Sequence, residues 1–264
     1  MNKKSITIHK RNEVIRGTDL YSLNAKRCFN AIYYIYQKHR DYFKRFENKD
    51  IHFISIKFAT LREIMNLQKD NNYVEVIEEA IKELQTTLIT LNNWTNPIDG
   101  IKYKWYSTKF LNDAKIYRED IISVHIEIST LFKQLMKDQK NFTPLDLIEY
   151  LNRFRTKYAM KIYEYLKSFN GYKYIDITQK HMMKLLALEE NHKTYKHYSK
   201  LKCLIERQLK EIAKKTDLED IRLINSKLLS KEKKFRIIIN PKARKKTVKG
   251  QEAKEILETL IKRF

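Results

Sequence analysis

Tyr172-Lys-Tyr-Ile-Asp-Ile177, followed by Met182, Leu185, Leu186 and Leu188, decides the fold, because the chain has already run through this pattern once. The first passage is Ile51-His-Phe-Ile-Ser-Ile56, followed by Leu61, Ile64, Met65 and Leu67. Each apolar position of one passage lies 121 residues from its counterpart in the other. The register holds within one residue across the next loop, Tyr73 against Tyr195. It resumes as Ala-Ile-Lys-Glu-Leu84 against Gln-Leu-Lys-Glu-Ile212. Alternating apolar residues predict a half-buried strand, and spacings of three and four predict helix. A strand, a short helix and a longer helix is the order of a winged helix-turn-helix. The expected fold is α+β and helix-rich: two tandem winged-helix domains related by pseudo-duplication.

Chain breakers mark the borders. The four glycines and three prolines fall between the periodic stretches: Gly17 before the first long helix, Pro97 and Gly100 in one turn, and Pro144 where the second half begins. Gly171, Pro241 and Gly250 follow the later elements. The spacing predicts a strand at 5–10, a helix at 22–46, a strand at 51–56 and helices at 58–67 and 72–91. A hairpin of 102–111 with 121–128 and a linking helix near 129–138 follow. In the second half, Thr143 caps a helix over 144–169 that opens at Pro144. A strand at 172–177, helices at 178–188 and 195–215, and a hairpin of 221–229 with 234–239 complete it. The expected domains are 1–140, 141–241 and a basic tail, 242–264.

The 264 residues suit two domains of ordinary size. Hydrophobic content of 42% beside 33% charged residues describes a globular protein. No stretch has the roughly 20 apolar residues of a membrane span, and Met1-Asn-Lys-Lys-Ser-Ile lacks an apolar signal core, so a cytoplasmic protein is expected. Cys28 and Cys203 lie in different halves, which argues against a structural disulfide. The net charge of +22 is uneven: residues 1–140 hold 24 Lys/Arg against 17 Asp/Glu, whereas residues 141–264 hold 30 against 15. Such an excess favours a polyanion, because each neutralised phosphate releases condensed counterions.

The helix from Tyr195 concentrates that charge. One face carries Tyr195, Tyr198, Leu201, Ile205, Leu209 and Ile212 at core spacing. The opposite face carries Lys196, Lys200, Cys203, Arg207, Lys210 and Lys214, with Lys193 and His197 at its start. A basic stripe on the second helix of a helix-turn-helix suits the major groove, with Arg207 able to read a guanine edge and the lysines able to hold phosphates. Lys231, Lys233, Lys234 and Arg236 add positive charge at the hairpin and are expected on the DNA backbone. In the first half the equivalent helix carries Glu75, Glu78, Glu79 and Glu83, which repel phosphate. DNA contact there is expected only from Lys69, Asn71 and Asn72 at its N-terminal end and from Lys102, Lys104 and Lys109.

With these stretches in view, the chain resembles the replication initiator proteins of theta-replicating, iteron-containing plasmids. The likeness rests on Arg11-Asn-Glu-Val-Ile15, Thr156-Lys-Tyr-Ala-Met-Lys-Ile-Tyr-Glu-Tyr-Leu166, Ile175-Asp-Ile-Thr178, Tyr195 to Lys202 and Leu209-Lys-Glu-Ile-Ala-Lys-Lys-Thr-Asp217. It implies sequence-specific binding to direct repeats in double-stranded plasmid origin DNA, mainly by the second domain. It also implies a homodimer formed through the first domain, in equilibrium with a monomer. The dimer would repress its own promoter, and the monomer would start replication with the host replicative helicase and host initiator as partners. The acidic first-half helix departs from a simple DNA-binding module.

Enzymatic readings fit poorly. A rolling-circle initiator needs a His-hydrophobe-His metal pair, and none of His9, His39, His52, His125, His181, His192 and His197 are spaced that way. His181-Met-Met-Lys184 and His197-Tyr-Ser-Lys200 lack the arginine of a tyrosine-recombinase box, and His192, His197 and Cys203 match no usual zinc spacing. A Gly-rich phosphate loop is absent. We therefore expect a binding protein, not an enzyme, with no cofactor, no metal and no membrane contact. A dedicated winged-helix transcriptional repressor is the alternative.

Overall fold

The computed structural model describes residues 6–39, 53–96, 99–117, 120–137, 141–147, 150–169, 171–188, 195, 197–225 and 234–241. The chain opens with β1 (Thr7–Arg11), α1 (Asn12–Arg16), β2 (Thr18–Asp19) and α2 (Leu23–Lys38). It continues through β3 (Ile54–Lys57), α3 (Phe58–Ile64), α4 (Tyr73–Thr86), β4 (Leu88–Thr95) and β5 (Lys102–Lys109). Then come β6 (Leu111–Tyr117), β7 (Asp120–Ile128), α5 (Thr130–Lys137) and β8 (Phe142–Asp146). The remainder is a 3-10 turn (Leu151–Arg153), α6 (Lys157–Lys167), β9 (Tyr174–Thr178), α7 (Gln179–Leu185), α8 (Tyr198–Lys215), β10 (Leu218–Asn225) and β11 (Lys234–Pro241).

The sequence repeat is carried into the backbone. Helices Phe58–Ile64 and Gln179–Leu185 keep the offset of 121 at both ends. They also stop in the same way. The amides of Met65 and Leu186 donate to the carbonyls of Leu61 and Met182, and those of Leu67 and Leu188 reach back to Arg62 and Met183. Between them Asn66 and Ala187 adopt left-handed backbone, φ 61 and 53. This six-to-one closure satisfies the last carbonyls of each helix. Two three-stranded sheets share one topology, β3-β7-β6 and β9-β11-β10. In each, the leading strand pairs antiparallel with the far strand of a hairpin, Ile56 opposite Val124 and Ile177 opposite Phe235.

Two departures from the sequence reading change the first module. The helix predicted over 72–91 stops at Thr86, and Leu88–Thr95 is a strand whose Ile89, Leu91 and Trp94 turn inward. Consequently 102–109 pairs with β4, and 120–128 pairs with β6, so there are two hairpins where one was expected. The β4–β5 hairpin is an addition between α4 and the wing, and it forms its own sheet, β2-β4-β5.

A third departure joins the halves. Residues 142–146 are not the start of a helix but a strand paired with β1, Thr7 opposite Asp146 and His9 opposite Pro144. A two-stranded ribbon has open edges on which proline is tolerated, and the His9 and Phe142 rings stack at 4.6 Å. The Thr143 hydroxyl donates to Asn12 Oδ1 at 2.6 Å instead of capping a helix. The true cap is Thr156, whose Oγ1 accepts from the Ala159 amide at 3.1 Å. The helix it starts ends at Lys167, before Gly171. Of the first long helix predicted to 46, Leu23–Lys38 is helical, and residues 40–50 lie outside the described residues.

Helix α6 is buried from Ala159 through Leu166, charged positions included, as befits a helix with neighbours on every side. Towards the first module, Lys161 Nζ donates to Asp19 Oδ2 at 3.0 Å, and Lys26 Nζ lies 2.5 Å from Asp19 Oδ1. Lys10 Nζ donates to Glu164 Oε1 at 2.9 Å and to Asn30 Oδ1 at 3.0 Å. Arg16 reaches Ser168 and lies 4.2 Å above the Phe169 ring, while Arg27 donates to the carbonyls of Asn152 and Phe154. Towards the second module, the Thr156 hydroxyl donates to Gln208 at 2.6 Å, and Tyr163 and Lys167 converge on Asp217. Burial pushes the Lys161 ammonium down to about 8. Burial opposes ionisation of Asp19 as well, but the Lys161 and Lys26 ammoniums outweigh it and hold that carboxyl well below its usual range. Among the described residues no helix is long and apolar enough to cross a membrane.

Candidate nucleic-acid interface

Helix α8 is the second helix of the second helix-turn-helix, and its 18 residues extend about 27 Å. Its inner face is Leu201, Leu204, Ile205, Gln208, Leu209 and Ile212, all buried. Gln208 is the polar exception, and the Thr156 hydroxyl satisfies it. The amino end is anchored to the central strand of the wing sheet. The Tyr198 ring stacks on Phe235 at 4.7 Å with 2° between planes, and its hydroxyl donates to the Lys234 carbonyl at 3.2 Å. No acidic residue lies in the first turn, so the positive end of the helix dipole stays available to an anion.

The outward stripe is intact over its described part: His197, Lys200, Cys203, Arg207, Lys210 and Lys214 are all exposed. Cys203 is therefore a free, exposed thiol, unlike the buried Cys28, whose thiol burial pushes up. Ser199 is exposed on the same side and was not singled out from the sequence. Its position, three residues after Lys196 and four before Cys203, is the signal that identifies it. Lys193, Lys196, Lys231 and Lys233 lie outside the described residues.

Of the two described wing residues, Lys234 begins β11 and Arg236 sits two places further along it. Arg236 does not face the stripe. Phe235 and Ile237 turn towards α8, whereas Arg236 lies on the opposite face, forked onto Asp176 with both bonds at 2.7 Å. Its guanidinium also rests 4.4 Å above the Tyr174 ring. In the free protein Arg236 thus holds a carboxylate within the sheet, on the face away from the stripe.

In the first module, Lys69, Asn71 and Asn72 are exposed in the turn before α4. Asp70 accepts the Asn72 amide at 2.9 Å, and Arg62 holds the turn from beneath, donating to the Gln68 carbonyl at 3.0 Å with Tyr73 4.2 Å away. Glu75 and Glu79 are exposed on the helix that follows, so among the described residues of this helix-turn-helix the turn is better suited to an anion than the helix face. Lys102, Lys104 and Lys109 are exposed but belong to β5, in the added sheet and not in the wing. Among the described residues no group of three His, Cys, Asp or Glu could hold a metal ion.

Helix α8 thus presents an exposed basic face of a kind that fits the major groove of duplex DNA, which is about 8.5 Å deep. Comparison with known proteins is consistent with that arrangement. Residues 7–167 match the family model described as initiator replication protein, WH1. Among solved structures, the crystal structure of the Pi initiator protein in complex with iteron DNA superposes with a TM-score of 0.61 at 13% identity, covering 90% of this chain and 99% of that one. Domains 2 and 3 of RctB give a TM-score of 0.49 at 10% identity over 84% of this chain and 83% of that one. No curated protein matches the chain.

Proposed function

The chain belongs to the initiator replication protein family, and from that membership we propose that it binds repeated duplex DNA at a plasmid origin and starts replication there. The observation that carries the proposal is the exposed basic stripe of α8, from His197 to Lys214, at the position from which a helix-turn-helix enters the major groove. The Pi initiator, which shares this fold, is described as bound to iteron DNA. The work is binding of DNA, without a covalent step of this chain's own.

The second module supplies most of the affinity, because residues 141–264 hold twice as many basic as acidic residues. The first module adds contacts from Lys69, Asn71 and Asn72 and forms the homodimer. The edge of the added sheet supports the dimer: β5 is the outer strand of β2-β4-β5, with Trp105 62% exposed on it and Ile101, just before it, 53% exposed. An exposed edge with apolar side chains invites pairing with another strand. The dimer represses the promoter of the gene, and the monomer acts at the origin with the host helicase and initiator.

A footprint of the full chain on the DNA flanking its own gene tests this. An initiator protects a series of direct repeats spaced at about 21 base pairs, two helical turns, so that successive copies lie on one side of the duplex. Protection of a lone inverted repeat, with nothing else, identifies a dedicated repressor.

A further inference from the structure

Among the described residues, only the first module carries a hairpin between its second helix and its wing. In the second module α8 ends at Lys215 and the wing begins at Leu218, whereas in the first the stretch from Thr86 to Leu111 holds β4 and β5. The second module thus forms its helix-turn-helix and wing without such a sheet. The addition answers a need outside the winged-helix fold itself.

Its contacts show where that need lies. β4 is the central strand of β2-β4-β5 and packs against α1 and β2. Gly17, at the corner between those two, makes room for it: a Cβ there would stand 3.0 Å from the Thr90 carbonyl oxygen and 3.2 Å from Leu91 Cδ2. From this block three contacts reach the second module. Arg16 on α1 donates to Ser168, Asp19 on β2 takes the Lys161 ammonium at 3.0 Å, and Asn92 on β4 takes Lys184 Nζ at 2.8 Å. Lys161 and Ser168 lie two turns apart along α6 and its cap, about 10 Å. Lys184 belongs to another helix, α7, near the end that leads towards α8. Contacts on two helices fix orientation as well as distance.

We propose that the added sheet is a spacer: it holds the Lys69–Asn72 turn of the first module in fixed phase with the α8 stripe, so that the chain accepts one repeat length, with Asn92 as a positioning residue. The inference rests on the reading that both modules touch duplex DNA. Each base pair added between the two contacts moves them apart by about 3.4 Å and turns one about the helix axis by about 35°. Rigidly joined modules cannot follow, and one contact is lost. Loosely joined modules can, because effective concentration changes only gradually with span.

Binding of the full chain to its footprinted repeat tests this, with two base pairs inserted between the stretches protected by the first module and by α8. Replacing Lys69, Asn71 and Asn72 by alanine marks the first stretch as the protection that disappears. Wild type should bind the lengthened repeat at least about tenfold more weakly. Asn92→Ala with Lys161→Met cuts both bonds from the sheet and leaves Asp19 paired with Lys26; its discrimination should fall to about threefold or less. Asn92→Asp keeps an acceptor for Lys184 and should keep the wild-type ratio. A half-repeat holding only the α8 contact should bind wild type and both Asn92 variants alike. Unchanged discrimination in the double variant, none in wild type, or equal losses on native, lengthened and half repeats would each overturn the proposal. So would a footprint that the alanine turn leaves unchanged, although the α8 reading would then stand. Absence of any protection would sink that reading as well.

Discussion

Asp19 is the residue whose removal most directly probes how the two modules are held together. Its carboxylate takes Lys26 on one oxygen at 2.5 Å and Lys161 on the other at 3.0 Å, and its side chain is only 8% exposed. With Lys10 and Glu164 beside it, the buried cluster already carries one more ammonium than carboxylate. Asp19→Ala leaves two adjacent ammoniums without a counter-charge. Stranding a buried charge this way costs about 3–5 kcal/mol, which for a chain of this size lowers the melting temperature by roughly 6–20 °C. Asp19→Asn keeps an acceptor and should fall between wild type and Asp19→Ala. Lys161→Met removes the surplus ammonium, so Asp19→Ala with Lys161→Met should be less damaging than the summed single changes, by about 0.5–3 kcal/mol. Thermal and urea melts at pH 7 compare the four variants with wild type. A loss under about 1 kcal/mol for Asp19→Ala, in the range of an exposed pair, would refute the buried bridge.

Three further outcomes are expected. The Lys161 ammonium, lowered to about 8 in the folded protein from 10.5, makes the unfolded chain bind more protons between those values, so stability should rise from pH 8 towards pH 10. That rise should shrink in Lys161→Met but not vanish, because burial lowers the Lys10 ammonium too; towards and above about pH 10 the buried Cys28, Tyr21, Tyr33 and Tyr163, all pushed up by burial, oppose it and then reverse the trend. A maleimide should modify Cys203 and block DNA binding, and bound origin DNA should protect the thiol; normal binding by fully modified protein would turn that helix face away from the groove. Replacing Lys231, Lys233 and Lys234 together should weaken specific and random duplexes alike and flatten the salt dependence, whereas a loss confined to the specific site would place these residues on bases.

What the sequence made legible follows from where the stabilising contacts lie. The α8 stripe could be read because a helix of 18 residues sorts its charges by a period of 3.6, and burial of Leu201, Ile205 and Ile212 depends on that period alone. The repeat could be read because both copies keep the same apolar positions through a turn that ends in left-handed Asn66 and Ala187. The β4 strand was hidden because no glycine or proline separates it from α4, and only Leu88 to Leu91 announce the change from a period of 3.6 to 2. The β8 strand was hidden for another reason: its partner Thr7–Arg11 is more than 130 residues away, while Thr143-Pro144 imitates a helix start. Nothing in the sequence sets Lys161 and Glu164 apart from the charges of any helix, and only the packing of α6 between the modules makes them a buried contact. Arg236 sits in a basic run, but strand alternation sends it to Asp176 on the far face.

The central claim, that α8 reads DNA sequence, is tested most directly by Arg207→Ala in the full chain, with affinity measured on the repeat from its own origin and on a random duplex of equal length. The account predicts a loss of about 1–3 kcal/mol on the repeat, roughly five- to 150-fold, and little change on random DNA. Equal losses on both duplexes, or none on either, would contradict it.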